Sequence, residues 1–331
     1  MTAESELAMY TASSYEASLA DEWDRFIGTA GNGTFLHTRR YLAYHRDRFE
    51  DASLVVRTRE GRLVAVLPAA LSAAEPGREV VSHPGITFGG LVYGRGLYGD
   101  GLVAALSAVS TTLRSLGFDA LHYRPVPPFA RRDLGDEDVY AVCRLGGQRT
   151  DCQLSAVVDL ARRPPADAKK RNVLRKAPRA GVTLHEGVEW LPDFWSLLTE
   201  QLAERHAATP VHSLTEMTEL TQRFPDQIGL RVARADGGQL VAGALTYRYS
   251  SDTLHTQYLA SNATGRKLAA LDFLCESLIE QAARSELRFV SFGTSTSDDG
   301  AGLNDPLFRF KRSFGANGMC IETYRIPCSA S

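Results

Sequence analysis

The sequence predicts an α/β (α+β) chain of two tandem domains, residues 1–150 and 151–331, each a mixed, mostly antiparallel sheet flanked by helices. Three observations predict it. At 331 residues the chain exceeds one ordinary domain. Its composition, 44% hydrophobic and 23% charged, is that of a globular protein able to bury two cores. The two halves also repeat one order of elements (helices, a β-hairpin, a strand, an amphipathic helix, a strand) with little direct identity between them.

In the first half, EASLADEWDRFIG and the stretch around TRRYLAYHRDRF carry helical spacing. ASLVVRTREG and RLVAVLPAAL read as strands joined by a turn at Glu60 and Gly61. A strand ending at LVYG, a helix GLVAALSAVSTTLRSLG and a strand FDALHYRPVP complete this half. The second half opens on the strand LSAVVDL, followed by RRPPADAKKRNVLRKAPRAGV, which sets eight Lys or Arg against one Asp. Helices then fit WLPDFWSLLTEQLAERHA and SLTEMTELTQRF, and strands fit IGLRVARADG, QLVAGALTYRYS and DTLHTQYLASN. The long helix KLAALDFLCESLIEQAARS leads to the strand LRFVSFGTS, and CIETYRI closes the chain as a strand.

Composition excludes several function classes. A net charge of −2 gives no global attraction to nucleic acid or anionic membrane, so a basic site must be local. Five cysteines without a C-x-x-C pair indicate neither a zinc cluster nor a complete disulfide framework, and a reducing cytoplasm is the expected compartment. The acidic N-terminus lacks the pattern of an export signal, and no run of apolar residues is long enough to span a membrane. No metal-ligand motif, P-loop or G-x-S-x-G elbow occurs, so no metal or tightly bound cofactor is expected.

Gly94, Gly96 and Gly99 spell G-x-G-x-x-G, yet the motif follows a hairpin and not the first strand of a βαβ unit. The strand after it ends in His122, Tyr123 and Arg124, with no ribose-binding carboxylate. The glycines read as a tight strand-to-helix turn.

The repeated order resembles the fold of GNAT-type N-acyltransferases, and more closely the tandem version in the Fem family of aminoacyl-tRNA-dependent peptidoglycan-bridge transferases and related amino-acid ligases. The segments that carry the resemblance are KKRNVLRKAPRAGV, HTQYLASNATGRKLAALDFLCESLIEQA, FGTSTSDDGAGLNDPLFRFKRSFGANGMCIETY and SHPGITFGGLVY. It implies an N-acyltransferase with its active site in the second domain. Acyl-CoA users of this fold grip the pyrophosphate with backbone N–H groups after Arg or Gln, two residues, Gly, one residue, and Gly or Ala. Here the run is Asn262-Ala-Thr-Gly265-Arg266-Lys267, which departs at both ends. The expected donor is therefore aminoacyl-tRNA, with acyl-CoA the alternative and a non-catalytic binding module a further one. The partners expected are that tRNA and a small-molecule or precursor amine; oligomeric state stays open.

Acyl transfer to an amine needs a neutral nucleophile, a partner for the oxyanion and a proton for the leaving group. The resemblance gives Lys311 the oxyanion role. As a strand, FRFKRSFG would put Phe308 and Phe310 on one face and Arg309 and Lys311 on the other, leaving Arg309 for substrate or for a solvated edge. In DTLHTQYLA, His255 and Gln257 share a face of a strand with Tyr258 opposite; a histidine of ordinary pKa could take the amine's proton, and a packed histidine is the alternative. Arg205, His206 and His212 lie in or beside the loop ATPVHS as substrate-orienting candidates. The loop FGTSTSDDGAGLN could present Ser295, Thr296 and Asn304 to a polar acceptor, with Asp298 or Asp299 pairing an ammonium. Lys169, Lys170, Arg171 and Arg175, with Gly265, Arg266 and Lys267, are the candidate donor-binding residues; a solvated basic face is the alternative for the first four.

Overall fold

The computed structural model describes residues 9–72, 78–206, 208–297 and 302–328, with the side chains of Arg205 and His206 outside that description. The chain divides into two compact units, residues 1–153 with 320–331, and residues 154–319. The closing strand thus belongs to the first unit, although in sequence it follows the second.

The first unit contains β1 (Tyr10–Ser14), β2 (Leu54–Thr58), β3 (Leu63–Leu67), β4 (Ala70–Leu71), β5 (Glu79–Val81), β6 (Val92–Tyr93) and β7 (Ala120–Tyr123). β8 (Gln148–Asp159) passes into the second unit, which holds β9 (Thr183–Glu186), β10 (Ile228–Arg234), β11 (Leu240–Arg248), β12 (Thr253–Ser261) and β13 (Phe289–Thr294). β14 (Asn317–Pro327) returns to the first. Strand order is β1-β2-β3-β6 and β4-β5-β7-β14 in the first unit and β8-β13-β12-β11-β10-β9 in the second. One parallel pair occurs among the described strands of each unit, β5 with β7 and β12 with β13; the other pairings described are antiparallel.

Period-two alternation builds the first unit's layers. Leu54 and Val56 of β2 pack toward the helix Gly99–Ser115 through Leu102, Leu106 and Val109, while Val55, between them, packs with Trp23 and Ile27 of the helix Ala20–Thr29. The Glu60-Gly61 turn forms as expected, Gly61 sitting at φ +84° while the Thr58 amide donates to the Arg62 carbonyl at 2.9 Å. Residues 38–49 do not form the single helix their spacing suggests. Thr38 caps a short helix, Arg39–Leu42, and the following 3-10 segment breaks at Arg46, φ +51°.

In the second unit, Ala242 and Ala244 of β11 carry the helix Ala270–Arg284 through Ala270, Leu274 and Leu278. On the opposite face, Gly243 lies against Phe194 of the helix Leu191–His206; a Cβ there would come within 2.3 Å of the ring. The largest departure from expectation is at residues 305–312. Phe308-Arg309-Phe310-Lys311 is helical, because Asn304 caps the Leu307 amide through Oδ1 (3.1 Å) and Pro306 pre-sets the first turn. The apparent alternation was a short run of two aromatics and two cations on a helix.

Candidate active site

The site begins as a flaw in the sheet. β12 and β13 pair at Thr253↔Phe289, Leu254↔Val290 and His255↔Ser291, and there the ladder stops although both strands run on. Two irregularities at this level open it. On β12, Leu245 pairs with Tyr258 and Thr246 with Thr256, so Gln257 is an extra residue; on β13, the register with β8 shifts between Ser291 and Thr294, where Gly293 sits at φ +70°. The bulge also corrects the strand reading. His255 lies opposite Tyr247 and Tyr258 opposite Leu245, two residues apart on β11, so His255 and Tyr258 share a face.

Lys311 reaches this opening from the helix Asp305–Arg312. It is 4% exposed, and its Nζ donates to the carbonyls of Gly293 (3.2 Å) and Thr294 (2.5 Å). Burial pulls its pKa down to about 8, while the two carbonyls favour the charged form, so at neutral pH it is an ammonium. A cation fixed in low dielectric is suited to an oxyanion.

His255 faces the same place. It is 7% exposed, stacks on Tyr249 (4.8 Å, 19°), and its Nδ1 lies 3.1 Å from Ser291 Oγ. A Cβ on Gly293 would stand 3.2 Å from its Cε1. Burial first, and then Lys311, lower its pKa to about 3, so the ring is neutral and a poor acceptor of the amine's proton, against the base role drawn from its ordinary pKa. Ser291 Oγ also accepts from the Gly293 amide (3.3 Å), so one hydroxyl ties the His255 ring to the turn at Gly293.

Around the opening, polar atoms wait for partners. Ser295 Oγ, Thr296 Oγ1 and Gln257 Oε1 are buried with no hydrogen bond among the described residues. Tyr258 meets the His212 ring at Nδ1 (2.7 Å), is reached by Gln257, and packs edge-on to Trp195; burial raises its pKa to about 12. His212 is thus brought into the group, whereas Asp298 and Asp299 and the side chains of Arg205 and His206 lie outside the described residues. Asn304 serves as a helix cap and Arg309 forms an exposed pair with Asp305 at 2.7 Å, so neither supports the direct role expected of it.

The donor candidates divide. Lys170 is buried, paired with Asp272 (2.7 Å) and Ser313 (2.9 Å) and set 3.4 Å over the Phe314 ring; it is structural, because a cation at that depth needs its partners. Lys169, Arg171 and Arg175 are exposed, and the two arginines line a cavity of about 340 Å³ with Arg179 and Phe273. At the helix Ala263–Leu268, Asn262 Oδ1 already accepts the Gly265 amide (2.9 Å), and a Gly265 Cβ would stand 2.1 Å from the Val241 carbonyl. That glycine serves close packing. Arg266 donates to the Ser261 carbonyl at 2.7 Å, and Lys267 is exposed.

Sequence reasoning missed Ser291, Gly293, Tyr249 and Trp195. Only Gly293, a glycine late in an apolar strand, carried a local signal. Among the described residues no cluster of three or more His, Cys, Asp or Glu could hold a metal, and no helix is long and apolar enough to cross a membrane.

With this geometry in hand, comparison with known proteins is informative. Residues 167–312 match the family model of the acetyltransferase (GNAT) domain, a span that includes the bulged β12, β13 and Lys311. A structure of FemX is similar over 95% of this chain and 96% of its own, with a TM-score of 0.67 at 13% identity. The C-terminal domain of a putative lysylphosphatidylglycerol synthetase from Agrobacterium fabrum matches over 95% and 92%, TM-score 0.59, 14% identity. A tandem GNAT protein from the clavulanic acid biosynthesis pathway matches over 97% and 99%, TM-score 0.52, 14% identity. No curated protein sequence matches the chain. The identities are low, so the likeness is one of fold: the chain has the tandem GNAT fold, and the match to the acetyltransferase (GNAT) model lies in its second half.

Proposed function

We propose that this protein is an N-acyltransferase that moves an aminoacyl group from aminoacyl-tRNA to an amine acceptor. The amine attacks the ester carbonyl directly; the C–N bond forms, the C–O bond to the ribose breaks, and the proton lost by the amine ends on the ribose oxygen. Lys311 faces the developing oxyanion, and His255, a neutral ring, lines the same opening.

The observation that carries the choice of donor is the trio Gln257 Oε1, Ser295 Oγ and Thr296 Oγ1, buried beside the opened strands with no hydrogen bond among the described residues. A plain acetyl group would leave them unsatisfied, whereas the α-ammonium of an aminoacyl group supplies the missing donors. The Gly265 amide, spent on Asn262, adds support by weakening a pyrophosphate grip, and the exposed Lys169, Arg171 and Arg175 suit a tRNA backbone. Such a donor places the reaction in the cytoplasm. The match to an acetyltransferase model keeps acyl-CoA as the second reading.

The test pairs two donors. Purified protein, tRNA charged with a pool of labelled amino acids and a panel of amines should yield labelled amide and free tRNA above background, with no heat on titration of CoA. Micromolar CoA binding with acetyl transfer would replace the reading by the second one; neither product would leave a binding module.

A further inference from the structure

Away from the acyl-transfer site, two cysteines stand together. Cys152 lies on β8 and Cys320 on β14, both exposed and both in the first unit, and their thiols are within hydrogen-bonding reach of each other. Neighbouring contacts fix the pairing: Arg149 bridges to Glu322 (2.8 Å), and the Thr150 hydroxyl donates to the Thr323 carbonyl (3.3 Å). β8 and β14 are neighbouring strands, and across them 149 meets 322, 150 meets 323 and 152 meets 320, which agrees to within one residue with a single antiparallel register. Directly opposed residues in such a pair have the Cα and Cβ separations that a disulfide requires.

We propose that Cys152 and Cys320 form a surface dithiol that hydrogen peroxide closes to a disulfide. One thiolate attacks the peroxide, its O–O bond breaks, and a sulfenic acid and one water result; the second thiolate displaces the sulfenic oxygen as a second water and forms the S–S bond. Both thiol protons leave in the waters, and the peroxide takes the two electrons. Partial desolvation and the neighbouring thiol hold the Cys152 pKa above the usual range, which lowers the thiolate fraction, so closure quickens as pH rises.

Position gives the bond a consequence. Cys152 stands two residues before Leu154, where the chain enters the second unit, and Cys320 follows Met319, where it leaves. The disulfide therefore closes the whole second unit into one covalent ring. Closure of so long a loop removes chain entropy from the unfolded state and raises thermal stability.

The full chain treated with excess hydrogen peroxide and then mapped without reduction should show one linked peptide pair, Cys152 with Cys320. Two free thiols should disappear, and the unfolding midpoint should rise by several degrees, reversing on reduction with dithiothreitol. Cys152→Ser and Cys320→Ser should each abolish the link and the shift, while Cys143→Ser, at another exposed cysteine, should leave both intact. Linkage through Cys143, or oxidation that stops at separate sulfenic or sulfinic acids in the wild-type chain, would overturn the proposal, as would a link that leaves the midpoint unmoved.

Discussion

Each unit contains a parallel strand pair, and the two pairs end differently. In the first unit, β5 and β7 pair from Glu79↔Ala120 to Val81↔His122, and the chain then fills its own gap. The Ser82 amide donates to the His122 carbonyl (2.9 Å), Arg124 donates through its amide to Ser82 Oγ (2.8 Å), and Leu91 donates to the Tyr123 hydroxyl (2.9 Å). Tyr123 in turn donates to Asp138, which pairs with Arg131 at 3.0 Å. In the second unit, β12 and β13 end on His255↔Ser291, and the space beyond is met by Lys311 and by atoms with no hydrogen bond among the described residues. The duplicated architecture thus ends its parallel pair on a network of backbone and side-chain bonds in one copy and on a buried cation beside a bulge in the other.

The largest expected effect breaks the first copy's network. Asp138→Asn keeps the shape but leaves the Arg131 guanidinium, 1% exposed as a side chain, with only the more distant and exposed Asp136 (3.8 Å) as a counter-ion. Loss of a buried partner costs about 3–5 kcal/mol. Urea unfolding should show a loss of this order, while turnover per folded molecule stays at the wild-type value. A loss under about 1 kcal/mol, the scale of a surface pair, would mean that the first unit's network is not what holds it.

Opening the comparison from the other side, Lys311→Ala should lower kcat by about 10²–10³-fold, the range for removal of one oxyanion partner, with unfolding little changed because no counter-ion is stranded. The same residue sets the pH profile. The Lys311 contribution follows the ammonium fraction, so activity falls above the folded pKa of about 8, while protonation of the acceptor amine sets a separate fall on the acid side. Lys311→Arg should push that alkaline limb upward. The stability sign is opposite: the unfolded chain, with its higher lysine pKa, holds more protons between about 8 and 10.5, so this residue makes folding more favourable as pH rises through that window. A wild-type profile flat through pH 9 would remove Lys311 from the chemistry.

What the sequence disclosed follows from how local each feature is. The hairpins, the helix Gly99–Ser115 and the helix Ala270–Arg284 were legible because period and turn chemistry are written in adjacent residues. The glycine motif was legible for the same reason, as a turn and not a cofactor loop. Lys311 came from resemblance, and its helix was misread because four alternating residues outweighed the start signal in Asn304-Asp305-Pro306. Lys170 reads in sequence as a donor-binding cation; its burial depends on Asp272 and Ser313, each more than a hundred residues away. The bulge at Gln257 depends on pairing with β11, so no reading of DTLHTQYLA alone could place Tyr258 beside His255.

The smallest expected effect concerns the loop that would otherwise grip a pyrophosphate. Asn262 caps the helix Ala263–Leu268 by accepting the Gly265 amide, and its Nδ2 ties the loop to the Leu240 carbonyl at 3.2 Å. Asn262→Ala should therefore cost about 1 kcal/mol of stability, the usual worth of such a cap. It should also leave KM for an aminoacyl-tRNA donor within experimental error of wild type, since the amide it frees has no assigned role in holding that donor. The same variant sharpens the contrast with acyl-CoA users: if unmasking the Gly265 amide created measurable CoA affinity where the wild type has none, the cap itself would be the element that turned this copy of the fold away from CoA. A fall in aminoacyl-tRNA affinity without loss of stability would instead put Asn262 in contact with the donor.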